Sequence, residues 1–240
     1  MEPFAISPIR RNNSRCDCLK ETHLSLPVSE SEVRRLRVGD RVFMSGIIHT
    51  MRDMAHRRTI GMLEKGEALP FRLSEGAIWH CGPIARRKDQ IWQILAAGPT
   101  SSSRFTELGA QLVTKLHVRI TIGKGTMGED MVTALRDVGG IYLLATGGCA
   151  VLYARQISEV VNVHWLDLGM PEAVWVLNVN RLGPLVVGID SSGNTQYEIT
   201  RRNAYRSIED IYEQEGVDVR KTCVWWPKSA VGLGDRASQR

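Results

Sequence analysis

Residues 118–125, which read VRITIGKG, decide the fold. The β-branched start of this stretch predicts a buried strand, and Gly123-Lys124-Gly125 ends that strand in a glycine-rich loop. Apolar residues then recur at helical spacing until Gly139-Gly140, a pair typical of a helix C-terminus. Residues 141–145 are the next apolar run. This order of elements indicates parallel strands joined by a crossover helix.

The same order continues on both sides of this stretch. Residues 91–96 form an apolar run, which Gly98-Pro99-Thr100 ends before apolar positions recur at helical spacing. Residues 141–145 are followed by Gly147-Gly148-Cys149 and by a predicted helix that extends to about Glu159. The sequence therefore predicts an α/β fold with three consecutive strand–loop–helix units.

Cationic side chains fall in or beside these loops. Ligands of parallel sheets bind beyond the carboxyl ends of the strands, where helix N-termini present unpaired amides and partial positive charge. Arg104 and Lys124 are expected at that end, together with the hydroxyl of Thr100. A third cation, Arg52, stands in the stretch Arg52-Asp53-Met54-Ala55-His56-Arg57. Such a set is suited to a small molecule with more than one carboxylate.

The rest of the chain predicts further strands and one more helix. Residues 41–83 are rich in strand-forming residues and glycine, and residues 174–177 and 185–187 are additional strands. Near the C-terminus, apolar residues at helical spacing predict a last amphipathic helix, for which Ser207 and Asp210 have the spacing of a capping box.

Length and composition are typical of one globular domain with a sizeable core. The chain has 240 residues, of which 43% are hydrophobic. We predict a polar arm over residues 1–24, the domain over 25–228 and a flexible tail over 229–240. No apolar run approaches the roughly 20 residues that span a bilayer, and the N-terminal stretch is polar rather than a signal segment. These features predict a cytoplasmic protein that does not enter a membrane.

Charge and cysteine content argue against two other classes of protein. The net charge is +5, but no zinc-finger, RNA-binding or helix–turn–helix signature accompanies the arginine clusters. We therefore expect solvated surface and an anionic-substrate site, not a nucleic-acid interface. The five cysteines are irregularly spaced, which is typical of a reducing compartment. Cys16-Asp17-Cys18 lacks a second pair of ligands, so no metal site is predicted on this chain.

A series of short motifs runs through the chain in a fixed order. They are Ser45-Gly46, Arg52-Asp53-Met54-Ala55-His56-Arg57, Gly66-Glu67-Ala68-Leu69-Pro70, Gly82-Pro83, Gly98-Pro99-Thr100-Ser101-Ser102-Ser103-Arg104, Gly123-Lys124-Gly125, Gly147-Gly148-Cys149-Ala150 and Leu168-Gly169-Met170-Pro171-Glu172. From about residue 36 to residue 195 the chain resembles the beta subunit, or C-terminal domain, of the iron–sulfur hydro-lyases, which are the class I fumarases and L(+)-tartrate dehydratases. The segments around His80 and His164 resemble the tartrate dehydratase branch more than the fumarase branch.

The resemblance implies a fold and a set of roles. The fold is a single three-layer β/β/α swivelling domain of the iron–sulfur hydro-lyase beta type. Thr100 aligns with the family's catalytic base. The implied catalytic and substrate-binding cations are Arg52, Arg104 and Lys124, and the further substrate-binding candidates are Ser101 and His80. A four-iron, four-sulfur cluster is implied on a partner alpha subunit and not on this chain, in a hetero-oligomer or in a homodimer through this domain.

Several of these residues also have plainer interpretations. Thr100 is typical of a helix cap, and a hydroxyl is a poor base unless a helix N-terminus and cations stabilise its alkoxide. Asp53 and His56 could form an acid/base pair, but we favour a structural role in which Asp53 orients the loop and His56 is its partner. Lys124 stands in Gly123-Lys124-Gly125-Thr126, which lacks the spacing of a phosphate-binding P-loop.

The predicted reaction is dehydration of a 2-hydroxydicarboxylate, with L(+)-tartrate to oxaloacetate as the favoured case. His80 is the candidate partner for the second hydroxyl of tartrate, which malate lacks. One alternative is the beta subunit of a class I fumarate hydratase, which interconverts fumarate and malate. The other is a non-catalytic module that binds dicarboxylates.

Overall fold

The computed structural model describes residues 21–216. These residues form nine strands: β1 (Glu21–Ser25), β2 (Arg41–Thr50), β3 (Ala77–Trp79), β4 (Ile84–Lys88), β5 (Ile91–Ala96), β6 (Ile120–Gly123), β7 (Ile141–Leu144), β8 (Ile157–His164) and β9 (Val174–Ile189). The α-helices are α1 (Glu30–Val33), α2 (Asp53–Glu64), α3 (Thr106–Leu116), α4 (Glu129–Val138), α5 (Ala150–Ala154) and α6 (Gln196–Gln214). Short 3₁₀ turns occupy Ser103–Phe105 and Leu166–Leu168.

Seven strands form one sheet in the order β1-β2-β3-β6-β7-β9-β8. The strands from β1 to β7 in this order run parallel to each other, whereas β9 runs antiparallel to β7, β8 and β2. Because β9 pairs with β2 as well as with β7, the pairings β2–β3–β6–β7–β9–β2 form a closed circuit. β4 and β5 form a separate two-stranded sheet.

Alternating side chains on β3 show how the sheet separates two cores. Ala77 and Trp79 are buried in a core of sheet residues against which Trp92 and Ile94 of β5 also pack. Ile78 belongs to the second core, which the sheet forms with α2, α3 and α4. The hairpin, the sheet and the helices are therefore three layers, and the predicted three-layer β/β/α fold is confirmed.

Residues 91–96 form a strand, as predicted, but this strand lies outside the main sheet. β5 pairs antiparallel with β4 across the two-residue turn Asp89-Gln90, in which both residues have positive φ (49° and 68°). This is the conformation of a type I′ hairpin turn. Every second residue of β5 is exposed, whereas strands inside a parallel α/β sheet are covered on both faces. The first of the three predicted parallel units is therefore wrong, while β6 and β7 are parallel as predicted.

The third predicted unit has a shorter helix than expected. α5 ends at Ala154, and the chain from Ile157 forms β8, which pairs antiparallel with β9. Ile157, Val160, Val161 and Val163 favour an extended chain, so the strand prevails over the helix predicted to about Glu159.

Residues 41–83 contain a helix that the sequence analysis does not predict. α2 buries Ala55, His56, Thr59 and Ile60. These positions have helical spacing, but two of the four side chains are polar, so the apolar stripe that signals a helix is interrupted. The description of this region as purely strand-rich is wrong, and α2 is the element that carries Arg52 at its start.

Two predictions about the C-terminal part also need correction. Residues 174–177 and 185–187 belong to one long strand, β9, and not to two strands. The last helix begins before Ser207, whose hydroxyl bonds back to the backbone of the preceding turn, so the predicted capping box of Ser207 and Asp210 is wrong. Residues up to Gln196 form one compact unit, and the remainder of α6 belongs to a second unit.

The predicted N-terminal arm overlaps the sheet. Residues 21–24 lie in β1, which pairs with β2. The rest of the arm, including Cys16 and Cys18, lies outside the described residues, as does the tail predicted over 229–240. Within residues 21–216, no helix combines the length and apolar character needed to cross a membrane.

Candidate active site

The predicted site residues lie at one edge of the sheet, where four neighbouring parallel strands end. Arg52 follows β2, His80 follows β3, Lys124 belongs to the loop after β6, and Gly147 belongs to the loop after β7. The segment 98–104 approaches from β5 and returns to the same edge. The parallel topology thus gathers loops that are far apart in the sequence, as the strand pattern predicts.

Backbone hydrogen bonds hold segment 98–104 against this edge. Thr100 N donates to His80 O at 2.8 Å, and Ser102 N donates to Lys124 O at 3.0 Å. Cys81 and Pro99 form an additional bridge beside them. The segment therefore lies between the ends of β3 and β6, and it brings Thr100 to the cationic edge even though β5 is outside the main sheet.

The hydroxyl of Thr100 contacts Arg104 and does not cap a helix. Arg104 Nη2 donates to Thr100 Oγ1 at 3.3 Å. The first helical turn after Thr100 starts at Ser103, and Ser102 occupies the cap position. A guanidinium beside a hydroxyl favours the deprotonated oxygen, which is the form that a base needs.

Arg104 also connects this segment to α2. Its Nη2 lies 3.1 Å from Asp53 Oδ2, and its guanidinium lies over the Phe105 ring at 4.7 Å from the centroid. The side chains of Arg104 and Asp53 are 42% and 36% exposed, so water reaches this ion pair. Asp53 thus contacts a predicted substrate-binding cation, in keeping with the orienting role that we favour.

Arg52, the neighbour of Asp53, contacts a different carboxylate. Its Nε is 3.3 Å from Glu172 Oε1, without the alignment of a hydrogen bond, so the contact is an ion pair. The two side chains are only 27% and 18% exposed. Glu172 Oε2 accepts a hydrogen bond from Met54 N at 2.8 Å. Within residues 21–216 no group hydrogen-bonds to the terminal nitrogens of Arg52, which leaves them available to a ligand.

Lys124 is the third cation of this edge. It pairs with Ser101 in a short parallel bridge, which places the predicted substrate-binding residue Ser101 beside it. In the part of the chain that the structure describes, the ammonium group of Lys124 makes no ion pair. The edge therefore carries three cations, of which two contact carboxylates of the chain itself.

A buried aromatic layer supports both sides of this edge. The rings of His80 and His56 lie 4.5 and 5.2 Å from the ring of Phe105, and all three side chains are fully buried. His80 Nδ1 hydrogen-bonds to Ser102 Oγ at 2.8 Å. His56 Nδ1 donates to Arg52 O at 2.8 Å. One histidine therefore supports the segment with Thr100, and the other supports the start of α2.

Both histidines are neutral at pH 7. Burial lowers the pKa of His56 to about 4, and burial, followed by electrostatic interaction with His56 and Arg104, lowers the pKa of His80 well below its usual range. The predicted partnership of His56 with Asp53 is wrong, because the imidazole bonds to the backbone of Arg52. His80 has no exposed surface. Its contact with a substrate hydroxyl stays a prediction.

Two glycines allow the close approach of these side chains. A Cβ on Gly123 would lie 1.8 Å from Ser102 Oγ, and a Cβ on Gly82 would lie 2.8 Å from the backbone oxygen of Pro171 and 2.9 Å from Arg52 Nη1. Contacts this short are not tolerated, so any larger residue at either position would displace the site. The Gly82-Pro83 and Gly123-Lys124-Gly125 motifs thereby acquire a steric explanation.

The predicted site residues are separate from the cleft that lies between two strands of the molecule. This cleft, of about 860 Å³, lies between β5 and β8, and none of the predicted site residues lines it. Within residues 21–216 no three His, Cys, Asp or Glu side chains are grouped as metal ligands. What this edge offers is a hydroxyl, three cations and buried neutral imidazoles.

Glu172 and Ser102 have no predicted role, although both lie in the motifs quoted above. The signal for Ser102 was available, because a serine in a glycine-flanked loop often hydrogen-bonds locally. Glu172 carries no such signal, because its partners are distant in the sequence: Met54, for example, is 118 residues before it.

The chain is similar in sequence to several known proteins. An L(+)-tartrate dehydratase subunit beta of Escherichia coli is 36% identical over 171 residues, which are 71% of this chain and 84% of that protein. A protein named "Putative L(+)-tartrate dehydratase subunit beta" from Methanocaldococcus jannaschii is 40% identical over 185 residues, which are 77% of this chain and 95% of that protein.

A further relative has a longer chain. A protein named "Putative fumarate hydratase class I" from Geobacillus stearothermophilus is 36% identical over 191 residues, which are 79% of this chain but 36% of that protein. The family profile described as Fumarase C-terminus matches residues 4–200. The chain therefore belongs to the Fumarase C-terminus family.

Proposed function

We propose that this chain is the beta subunit of an iron–sulfur-dependent hydro-lyase that dehydrates a 2-hydroxydicarboxylate, with L(+)-tartrate as the preferred substrate. The observation that carries the proposal is the contact of Arg104 with Thr100 Oγ1 at an edge that also presents Arg52 and Lys124. The names of relatives at 36–40% identity support the same reaction class.

The chemistry assigned to this chain is binding and proton transfer. Arg52, Arg104 and Lys124 hold the two carboxylates of the substrate, and Thr100 Oγ1 removes a carbon-bound proton. Fixing both carboxylates determines which hydrogen faces the hydroxyl. Arg104 has a second task, because its positive charge beside Thr100 Oγ1 lowers the free energy of the alkoxide.

The elimination also requires a group that activates the leaving hydroxyl. We place the four-iron, four-sulfur cluster of this reaction class on an alpha subunit, because relatives of this chain are named as beta subunits. When bound there, the cluster supplies a Lewis acid for the hydroxyl. The three cations at this edge, which suit a dicarboxylate substrate, fit a subunit that works beside such a partner.

Two substrates compete within the proposal. L(+)-tartrate is favoured because the relatives named for it are covered over 84–95% of their length. Fumarate or malate is the second candidate, because a relative named as a class I fumarate hydratase matches over 79% of this chain. In that case the same three cations and Thr100 serve the same roles.

The test is a comparison of catalytic efficiency in the complex with the alpha subunit, purified anaerobically. We expect kcat/KM to be higher for L(+)-tartrate than for malate or fumarate. His80→Phe should reduce this preference, whereas His49→Phe, at a buried histidine of β2 packed against Phe71, should not. A preference of the unmodified complex for fumarate would replace the tartrate assignment with the fumarate hydratase alternative. An unchanged ratio in His80→Phe would remove His80 from substrate selection.

A further inference from the structure

The start of α2 lacks the side-chain cap that helices usually have. Arg52 occupies the cap position and makes no capping hydrogen bond. Glu172 provides the cap from a distant loop, because its Oε2 accepts from Met54 N at 2.8 Å. The carboxylate also lies near the positive end of the helix dipole, where negative charge is stabilising.

The other oxygen of Glu172 acts on Arg52. Oε1 lies 3.3 Å from Nε, the nitrogen on the inner edge of the guanidinium. A carboxylate on that edge leaves only the terminal nitrogens to face a ligand. One of them, Nη1, lies along Gly82, where a Cβ would approach it to 2.9 Å. The guanidinium therefore lies between Glu172 and Gly82, where the missing side chain leaves room for Nη1.

Glu172 is itself held rigidly. Ala173 N donates to Gly169 O at 2.9 Å, and Glu172 N donates to the same oxygen at 3.0 Å, so the turn before β9 is closed. The fully buried Trp175 donates through Nε1 to Met170 O at 2.9 Å. A carboxylate on such a turn has a defined position, unlike one on a mobile surface side chain.

We infer that Glu172 is a positioning residue, which fixes Arg52 so that its terminal nitrogens face the substrate carboxylate. The inference rests on the proposed function, because it assigns Arg52 to substrate binding. Arg52 would hold its carboxylate in both the ground state and the transition state. Loss of its orientation should therefore appear mainly in KM and much less in kcat.

The experiment separates the two contacts of Glu172. In Glu172→Gln, the amide oxygen can still accept from Met54 N, but the amide NH₂ then faces Arg52 Nε, donor against donor. In the complex with the alpha subunit, we expect this variant to raise KM about tenfold with kcat changed less than about threefold. Loss of the charge near the helix dipole should lower the unfolding temperature by less than about 4 °C. Asp167→Asn is the matched control, since it alters an exposed Asp167–Arg58 ion pair and should leave KM unchanged.

A double-mutant cycle completes the test. If Glu172 acts through Arg52, Glu172→Gln should change KM less than about twofold in an Arg52→Met background. An unchanged KM in Glu172→Gln, together with a raised KM in Arg52→Met, would overturn the positioning role and leave the proposed function standing. An unchanged KM in Arg52→Met would instead contradict the assignment of Arg52 to substrate binding. Additive effects of the two substitutions would show that Glu172 acts through the helix alone.

Discussion

The two arginines of the candidate site are chemically identical but are supported differently. Arg52 pairs with Glu172, and these side chains are 27% and 18% exposed. Arg104 pairs with Asp53, and these side chains are 42% and 36% exposed. Exposed ion pairs are weak and screened by salt, whereas shielded pairs hold their geometry. The comparison indicates a fixed anchor at Arg52 and an adjustable cation at Arg104, which also contacts Thr100.

The largest effect is expected at Thr100, the proposed base, which contacts the adjustable cation Arg104. Thr100→Ala should lower kcat of the assembled enzyme about 100-fold or more while substrate still binds, because a positioned base contributes about 10²–10⁴-fold. Steady-state kinetics and a direct binding measurement test this. Ser103→Ala, at an exposed serine of the same segment, is the control. If Thr100→Ala retains a tenth or more of the normal rate, Thr100 is not the base.

The next prediction contrasts the two arginines directly. Truncating one partner of a charge-assisted contact costs about 2–5 kcal/mol. Arg52→Met should show this loss mainly as a higher KM. Arg104→Met should raise KM and also lower kcat, because Arg104 Nη2 lies 3.3 Å from Thr100 Oγ1. Arg58→Met, which removes a cation paired with Asp167, is the control. Identical kinetic patterns for the two site variants would contradict the division into anchor and adjustable cation.

A third prediction concerns His56, one of the two buried neutral histidines of the candidate site. The pKa of His56 is about 4 in the folded protein, below its value in the unfolded chain. The unfolded state therefore binds more protons as the pH falls below about 6.5, so the free energy of unfolding should decrease from pH 7 to pH 5 by on the order of 2 kcal/mol for this residue. Denaturant unfolding at both pH values tests it. His56→Phe should remove this share of the decrease, and an undiminished decrease would show that His56 is not responsible.

The smallest effect is expected for the exposed carboxylate. Asp53→Asn should change kcat/KM less than about fivefold, since exposed pairs contribute roughly 0–1 kcal/mol. This small change should contrast with that of Glu172→Gln, for which we expect about a tenfold rise in KM. A larger effect at Asp53 than at Glu172 would reverse the comparison.

The sequence predicts this site better than it predicts the path of the chain. Parallel strands bring their carboxyl ends together, so Lys124 could be expected at this edge from the strand pattern alone. Thr100 reaches the same edge by another route, because β5 lies outside the parallel sheet. The route taken by residues 84–96 could not be expected, because the turn Asp89-Gln90 is not a common type I′ sequence and β5 reads as an ordinary apolar run. α2 is missed for a related reason, since His56 and Thr59 interrupt its buried stripe.

Contacts between distant side chains are the other limit. Nothing in the local sequence connects Glu172 to Arg52, because the pairing depends on β9 lying beside β2. The hydrogen bond between His80 and Ser102 likewise requires segment 98–104 to return to the end of β3. Propensity and periodicity describe single elements, whereas such pairs arise only when the sheet is assembled.

In the proposed function, this chain supplies the base and the carboxylate-binding cations but needs a cluster-bearing alpha subunit for turnover. The most direct measurement is iron content, visible spectrum and hydro-lyase activity of the chain purified anaerobically, alone and together with the alpha subunit. We predict no stoichiometric iron and no turnover for the chain alone, and both for the complex. Stoichiometric iron with hydro-lyase activity in the isolated chain would contradict this proposal, and so would a cluster-loaded complex that binds dicarboxylates without turning them over.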